Sequence, residues 1–212
     1  MSCDSPSAPA THPRLEMRGV CKRFGATRAL DRVALRVRPG EVMALVGENG
    51  AGKSTLMKVL SGAHPADEGE LFLDGQPYAP RNPLHARSCG VAMIYQELSL
   101  APHLSVMENI LLGVEPSKHG LIDWREMRAK TAAALEQVGV DVPPDRRVST
   151  LSIAQQQLVE IARAVALDCR ILVFDEPTSS LTLQDIERLF SLIRMLSKRG
   201  ISVVYISHFL EE

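Results

Sequence analysis

Apolar and polar residues alternate along one early segment of the chain and form unbroken apolar runs in several others. The alternation at 32–38 predicts a half-exposed strand, which the turn at Pro39-Gly40 ends. A further strand is predicted at 70–73, before the turn Asp74-Gly75. Mostly apolar runs bounded by turn residues predict strands buried on both faces. These runs lie at 41–46, 90–95, 171–174 and 201–206.

Helical periodicity takes over in three other parts of the chain. Residues 54–61 predict a helix that Gly62 closes, and 98–167 shows helical patterns with almost no strand signal. A third helix is expected to begin at Thr182 as N-cap, with Asp185 three residues later, and to end at Gly200. Its apolar face comprises Ile186, Leu189, Phe190, Ile193 and Leu196.

Strand–loop–helix units with apolar strands predict an α/β fold in which helices cover both faces of a mostly parallel sheet. The early alternating strands predict a small antiparallel β layer beside it. We expect a disordered tail at 1–13, an α/β core formed by 14–97 and 168–212, and an inserted α-helical subdomain at 98–167.

Composition narrows the class of protein. The 212 residues are 45% hydrophobic and 23% charged, with a net charge of −1, which is ordinary for a globular protein and argues against nucleic-acid binding driven by bulk charge. No apolar run reaches the roughly 18 residues of a membrane span. The four scattered cysteines show no metal-binding spacing, so reduced thiols in a cytoplasmic protein are expected.

A glycine-rich loop carries the clearest chemical signal. Gly47-x4-Gly52-Lys53-Ser54 is the Walker A pattern, and it follows a predicted strand and opens a predicted helix. Glycines let backbone N–H groups approach an anion, and the helix N-terminus adds partial positive charge. Lys53 is expected to reach the β- and γ-phosphates of a nucleotide, and the Ser54 hydroxyl to bind Mg2+. The predicted loop is Gly47, Glu48, Asn49, Gly50, Ala51, Gly52, Lys53, Ser54 and Thr55.

Polar residues follow three other apolar strands, at the sheet edge where ligand sites gather in α/β folds. Asp175 is expected to hold Mg2+ through water, and the adjacent Glu176 to polarise an attacking water. His208 follows the last strand, where an imidazole could contact the γ-phosphate. Gln96 ends the strand at 90–95, where an amide could ligate and sense the metal, although its spacing alone is a weak signal.

These motifs, taken in order, resemble those of the ATP-binding-cassette (ABC) ATPases over residues 15–212. The resemblance implies a P-loop NTPase (RecA-like) fold, ATP and Mg2+ as cofactors, and a role for each matched motif. Those motifs are Phe24 stacking on adenine, the Walker A loop, Gln96 as Q-loop, the signature 151–155, Asp175-Glu176 as Walker B and catalytic glutamate, the D-loop 179–182, and His208 as switch histidine.

Three segments narrow the resemblance to the first cassette of bacterial monosaccharide importers of the ribose/galactose/xylose type. They are 105–109, 120–125 and 151–164. Such importers carry two cassettes in one chain, at the cytoplasmic face of the inner membrane. The resemblance therefore implies a peripheral ATPase with membrane permease subunits and a second cassette as partners, a periplasmic sugar-binding protein as an indirect partner, and no nucleic acid. The transported sugar is not encoded in this segment.

The sequence departs from the family pattern in the signature, the D-loop and the length. Ile153 and Ala154 stand between Ser152 and Gln155 where glycines are common, and in this family the signature serves the nucleotide held by the opposite cassette. Thr182 replaces the usual D-loop aspartate. The family continues beyond residue 212 with further strands and a second cassette, so we expect a truncated product or fragment with an exposed sheet edge and modest stability.

Two alternatives to a sugar-import ATPase stay open. A non-transport ABC ATPase of DNA repair or translation usually inserts a coiled coil or basic arm, which the sequence lacks. An ATP-binding remnant without a partner cassette would bind nucleotide with little turnover. Small GTPases and small-molecule kinases fit poorly, because no Asn-Lys-x-Asp motif is present and Asp175-Glu176-Pro177 does not suit them.

Overall fold

A computed structural model describes residues 12–48, 50–118, 120–178 and 181–207. The strands are β1 (Leu15–Phe24), β2 (Thr27–Val37), β3 (Val42–Val46), β4 (Glu68–Leu73), β5 (Gln76–Pro77), β6 (Val91–Ile94), β7 (Ser117–Lys118), β8 (Leu121–Ile122), β9 (Ile171–Asp175) and β10 (Ser202–Ser207). The α-helices are α1 (Lys53–Leu60), α2 (Pro83–Ser88), α3 (Val106–Ile110), α4 (Trp124–Val138), α5 (Ile153–Ala166) and α6 (Leu183–Lys198).

The predicted parallel sheet is present, with the strand order β3-β10-β9-β6. Its two faces contribute to two hydrophobic clusters. In β9, Leu172 and Phe174 pack into one cluster with the helices α3 to α6, while Ile171 and Val173 pack into the other with α1 and the antiparallel sheet. Successive residues therefore point to opposite faces of the sheet, and burial on both faces explains the unbroken apolar runs in the sequence.

The predicted antiparallel layer is also present, with the order β2-β1-β4-β5. The alternation at 32–38 marks only the second half of β2, and β1 was not predicted. The cause lies in β1, whose pairing register shifts between Met17 and Val20 around Gly19, which has φ +60°. Such a bulge changes which face the following side chains occupy, so β1 lacks the regular alternation that identifies a strand.

Helices dominate the segment 98–167, as its periodicity predicts, through α3, α4 and α5. The structure adds the two-residue hairpin strands β7 and β8 and, earlier in the chain, the short helix α2, whose Asn82 N-cap and Pro83 are the usual start signals. Helix α6 begins at the predicted N-cap Thr182. The subdomain bounds at 98 and 167 stay predictions. The predicted disordered tail covers residues 1–13, of which 1–11 lie outside the described part.

β3 forms one edge of the described parallel sheet, and its residues Val42 and Val46 are 44% and 46% exposed. The exposed sheet edge expected of a truncated chain stays a prediction. Among the described helices, none is both long enough and apolar enough to cross a membrane.

Candidate functional site

The ends of the parallel strands meet at one edge because their registers align. Val46, which precedes the glycine loop, pairs with Ser207, and Asp175 pairs with Ile206. β6 runs beside β9, with Ile94 opposite Phe174. The segments that follow these strands therefore start side by side, and they contain the predicted residues Gly47, Glu176 and Gln96. His208 follows Ser207 in sequence but lies outside the described residues.

The glycine loop has the backbone geometry that the sequence predicts. Gly50 and Gly52 both have φ +87°, a conformation that side chains disfavour. A Cβ on Gly52 would lie 2.6 Å from the carbonyl oxygen of Ala29, so this glycine also permits close contact with β2. Helix α1 follows directly, and its N-cap residue Gly52 supplies no side-chain hydrogen bond. Within the described residues the first N–H groups of α1 therefore have no N-cap side-chain acceptor, as an anion site requires.

Lys53 folds back across this loop. Its ammonium donates to the carbonyl oxygens of Gly47 at 2.5 Å and Glu48 at 3.0 Å. No acidic side chain occupies the first turn of α1, so positive charge and backbone donors stand together there. Ser54 is exposed and Thr55 is half-buried in the same turn. Asn49, predicted for the loop, lies outside the described residues.

Asp175 and Glu176 form an acidic pair at the end of β9. Burial raises the pKa of the Asp175 carboxyl, and the charge of Glu176 raises it further, while Lys58 and Lys53 act in the opposite direction. The loop lysine and this aspartate thus lie close enough to influence each other. Glu176 has φ +48° and donates its backbone N–H to the carbonyl oxygen of Ile206 at 3.2 Å, which ties it to β10.

The predicted Mg2+ donors are the hydroxyl of Ser54, the amide of Gln96 and the carboxylate of Asp175. All three offer oxygen, the ligand type that Mg2+ prefers. A carboxylate with a raised pKa gains from a nearby cation, so Asp175 fits this role. Within the described residues no group of three His, Cys, Asp or Glu could hold a metal alone. A hydroxyl, an amide and one carboxylate fit an ion that is shared with phosphate oxygens rather than an all-protein cage.

Phe24, the predicted adenine-stacking residue, ends β1 and is 45% exposed. Its ring is flanked by His64, with ring centroids 5.2 Å apart at 72°, and by the Lys22 ammonium, 5.7 Å from the ring centroid. The hairpin that carries Phe24 continues into β2, whose Ala29 touches the glycine loop. An exposed aromatic ring is thereby held on the sheet that packs against the loop, a geometry suited to stacking on a base.

The signature residues lie at the start of α5. Ser152 is the N-cap, and its hydroxyl accepts the N–H of Gln155 at 3.3 Å while the Gln155 side chain accepts the N–H of Ser152 at 3.1 Å. This capping box, S-x-x-Q, is visible in the sequence but was not identified there. Ile153 is 51% exposed, and together with Ala154 it continues the first helical turn without positive φ. In the D-loop, Ser179 and Ser180 lie outside the described residues.

Two buried polar residues of α5 were missed in the sequence. Gln157 donates its side-chain N–H to the carbonyl oxygen of Pro177 at 2.9 Å, next to Glu176. Glu160 accepts both the backbone N–H of Ser99 at 2.5 Å and its hydroxyl at 2.9 Å. Their i, i+3 spacing among apolar residues is the signal that could have identified them.

Comparison with known proteins agrees with this geometry. The family model described as "ABC transporter" matches residues 30–179. The ribose import ATP-binding protein RbsA of Chromobacterium violaceum is 51% identical over 200 residues, which cover 94% of this chain and 40% of that protein. A putative ribose/galactose/methyl galactoside import ATP-binding protein of Burkholderia ambifaria is 47% identical over 207 residues, covering 98% of this chain and 40% of that protein.

The solved structures to which this chain is similar are also ATP-binding cassettes. The ADP conformation of MJ1267, an ATP-binding cassette of an ABC transporter, superposes with a TM-score of 0.84 at 30% identity, covering 94% of this chain and 83% of that one. The dimeric post-hydrolysis state of the cassette MJ0796, bound to ADP and Pi, superposes at 0.77 and 26% identity, covering 93% and 89%. The chain spans about 40% of the length of the curated relatives it matches. The matched family model, the relatives and the shared cassette fold together place this chain in the ABC transporter family.

Proposed function

We propose that this chain is the ATP-binding and hydrolysing part of an ATPase that energises monosaccharide import across the bacterial inner membrane. The observation that carries the proposal is the glycine loop with its uncapped helix α1, which stands beside the acidic pair Asp175-Glu176 at the aligned strand ends. A phosphate chain would meet backbone donors and Lys53 on one side and the acidic pair on the other.

Each residue of this half-site has a distinct task. Lys53 neutralises phosphate charge, and Phe24 stacks on the base. Ser54, Gln96 and Asp175 hold Mg2+, which when bound offsets the charge of the phosphates. Glu176 accepts a proton from the attacking water. His208 is proposed to orient that water, on the strength of the family motif.

A second cassette is proposed to complete the site. In this family the signature of one cassette serves the nucleotide of the other, so Ser152, Ile153, Ala154 and Gln155 would face a nucleotide bound elsewhere. The isolated chain is therefore expected to bind ATP and turn it over slowly. A steady-state ATPase assay on verified monomer checks this, and rapid turnover would contradict it.

The transport role rests on the relatives, which are named as import ATP-binding proteins for ribose and for ribose, galactose and methyl galactoside. By analogy we propose membrane permease subunits as direct partners, a periplasmic sugar-binding protein as an indirect one, and a peripheral position at the cytoplasmic face of the membrane. Co-purification with a permease supports this role. Co-purification with ribosomes or DNA would favour the non-transport alternative instead.

Replacement of Glu176 by Gln in the assembled complex tests the catalytic assignment. The amide cannot accept the proton, so turnover should fall by about 100-fold or more while ATP still binds. Turnover is measured as phosphate release and binding with a fluorescent ATP analogue. The control is Glu187→Gln on the exposed face of α6, which should change neither quantity. Undiminished turnover in Glu176→Gln would remove Glu176 from the mechanism.

A further inference from the structure

Glu160 makes a contact that the proposed catalytic roles leave unexplained. It lies in α5, is only 4% exposed, and receives two hydrogen bonds on the same oxygen, from the backbone N–H and the hydroxyl of Ser99. Ser99 is three residues after Gln96, in the irregular segment that follows β6. A single carboxylate thus binds both donors of a residue three positions after the predicted metal-sensing Gln96.

The other oxygen of Glu160 points to function rather than stability. Within the described residues this oxygen is buried and has no hydrogen-bond partner. Burial raises the pKa of the Glu160 carboxyl, which the bonds from Ser99 and the charge of Arg163 only partly offset. A buried acid with one unsatisfied oxygen costs folding free energy that a leucine would not. Its presence therefore needs a reason other than packing.

The position of Glu160 along α5 supplies that reason. The signature begins the same helix at Ser152, eight residues or about 12 Å away along the axis. One turn before Glu160, Gln157 binds the carbonyl oxygen of Pro177 beside Glu176. One rigid helix thus carries the signature at its start and side-chain contacts to the segments beyond Gln96 and Glu176 in its middle.

We propose that Glu160 is a positioning residue that couples the Gln96 segment to the signature, through its paired hydrogen bonds with Ser99. When nucleotide and metal draw Gln96 inward, Ser99 moves with it, and Glu160 passes the displacement to α5. The signature would then take its working position only when the chain's own site is filled. This coupling rests on the proposed function, which assigns nucleotide sensing to Gln96 and trans recognition to 152–155.

Hydrogen exchange on the purified chain, with and without ATP and Mg2+, measures this coupling without a partner. In the unsubstituted chain, ATP should slow exchange in peptides covering 96–99 and also in those covering 152–156. In Glu160→Leu the slowing at 152–156 should fall by about threefold or more, while ATP affinity and the slowing at 96–99 persist. Leucine fills the site without a buried charge, so the variant is expected to fold.

Conservative and matched variants separate a positioning role from a structural one. Glu160→Gln keeps an acceptor oxygen for both Ser99 donors and should behave like the unsubstituted chain. Ser99→Ala removes one of the two donors and should give a partial loss at 152–156. Glu136→Leu, which removes an exposed carboxylate from α4, should leave the response unchanged.

The outcomes distinguish this coupling from the proposed function itself. If ATP binds but 152–156 does not respond, or responds equally in Glu160→Leu, the coupling is wrong while ATP binding stands. Loss of the response in both Glu160→Gln and Glu160→Leu would also overturn it, because glutamine preserves the hydrogen bonds. Failure of the unsubstituted chain to bind ATP would overturn the proposed function and the coupling with it.

Discussion

Helices α1 and α5 both begin at motifs that the family uses for nucleotide, yet their first turns differ. α1 starts after Gly52, a glycine in the left-handed conformation that offers no side-chain cap. α5 starts at Ser152, where a reciprocal capping box with Gln155 satisfies the backbone N–H groups of Ser152 and Gln155. One helix N-terminus has no side-chain cap, and the other has part of its backbone donors satisfied by its own side chains.

The other helices show that the uncapped start of α1 is an exception in the described part of the chain. In the described part of the chain, α2 to α6 each have an N-cap side chain that accepts a backbone hydrogen bond. An N-cap contributes about 1 kcal/mol to stability, so its omission from α1 alone has a cost. The open turn suits a site that forms fully when a ligand arrives, whereas the capped turn of α5 suits a rigid element that is carried to its ligand.

Replacement of Gly52 by Ala should have the largest effect of the substitutions considered, because it disrupts the uncapped first turn of α1. The added Cβ meets the Ala29 carbonyl oxygen at 2.6 Å and stands on a backbone with φ +87°. We expect a loss of about 3 kcal/mol or more in the free energy of unfolding, with no measurable ATP binding. Urea denaturation and titration with a fluorescent ATP analogue measure the two effects.

Gly113→Ala is the matched control, because Gly113 has φ +82° but open space around its Cα. It should lose only about 1 kcal/mol to backbone strain and keep ATP binding. Equal losses in the two variants would show that the contact with Ala29 carries no energy.

Replacement of Lys53 by Met tests the charge of the open turn. Loss of a charged donor to phosphate should weaken ATP binding about 10- to 100-fold while the chain stays folded. Lys58→Met, in the last turn of the same helix, is the control, since its charge also acts on Asp175 but it lies five residues after Lys53. A comparable weakening in Lys58→Met would mean that general positive potential, rather than Lys53, binds the phosphates.

The sequence alone could predict the features that depend on local residue order. The glycine loop, Asp175-Glu176 and the parallel strands were predictable because each depends on local residue order: glycines at fixed positions, or an apolar run before an acidic pair. Strand β1 was not, since the shift at Gly19 breaks the alternation on which the prediction depends.

Contacts between segments that are distant in sequence were the second feature that the sequence could not predict. The bonds from Ser99 to Glu160 and from Gln157 to Pro177 join residues 61 and 20 positions apart. No local pattern encodes such pairs, although two polar residues on an apolar helix face indicate that partners exist. The capping box at Ser152 is different, because its S-x-x-Q spacing was readable from the sequence.

Replacement of Ser152 by Ala tests the capped turn and should have a smaller effect. It removes the hydroxyl that accepts the Gln155 N–H, so the free energy of unfolding should fall by about 1 kcal/mol with ATP affinity of the isolated chain unchanged. Thr182→Ala removes the equivalent cap from α6 and should cost a similar amount. If Ser152→Ala weakened ATP binding as Lys53→Met does, the contrast between the two turns would fail.

The smallest effect is expected at Asp175, and its size depends on pH. Because the folded-state pKa is raised above 3.8, the folded chain binds more protons than the unfolded chain between the two pKa values. Stability contributed by this group therefore falls as pH rises through that window, and the full penalty persists at neutral pH. Asp175→Asn removes the charge, so it should raise the free energy of unfolding at neutral pH by less than about 1 kcal/mol.

That gain should disappear as the pH falls below the unfolded-state pKa, where the aspartate is protonated in both states. Urea denaturation of both chains from acidic to neutral pH measures it, with the exposed Asp141→Asn as a control that should show no such trend. A variant that is less stable than the parent at neutral pH would mean that Lys53 and Lys58 outweigh burial and the charge of Glu176. Asp175 would then form stabilising ion pairs with Lys53 and Lys58. The first turn of α1 would in that case already bind an anionic side chain of the same chain.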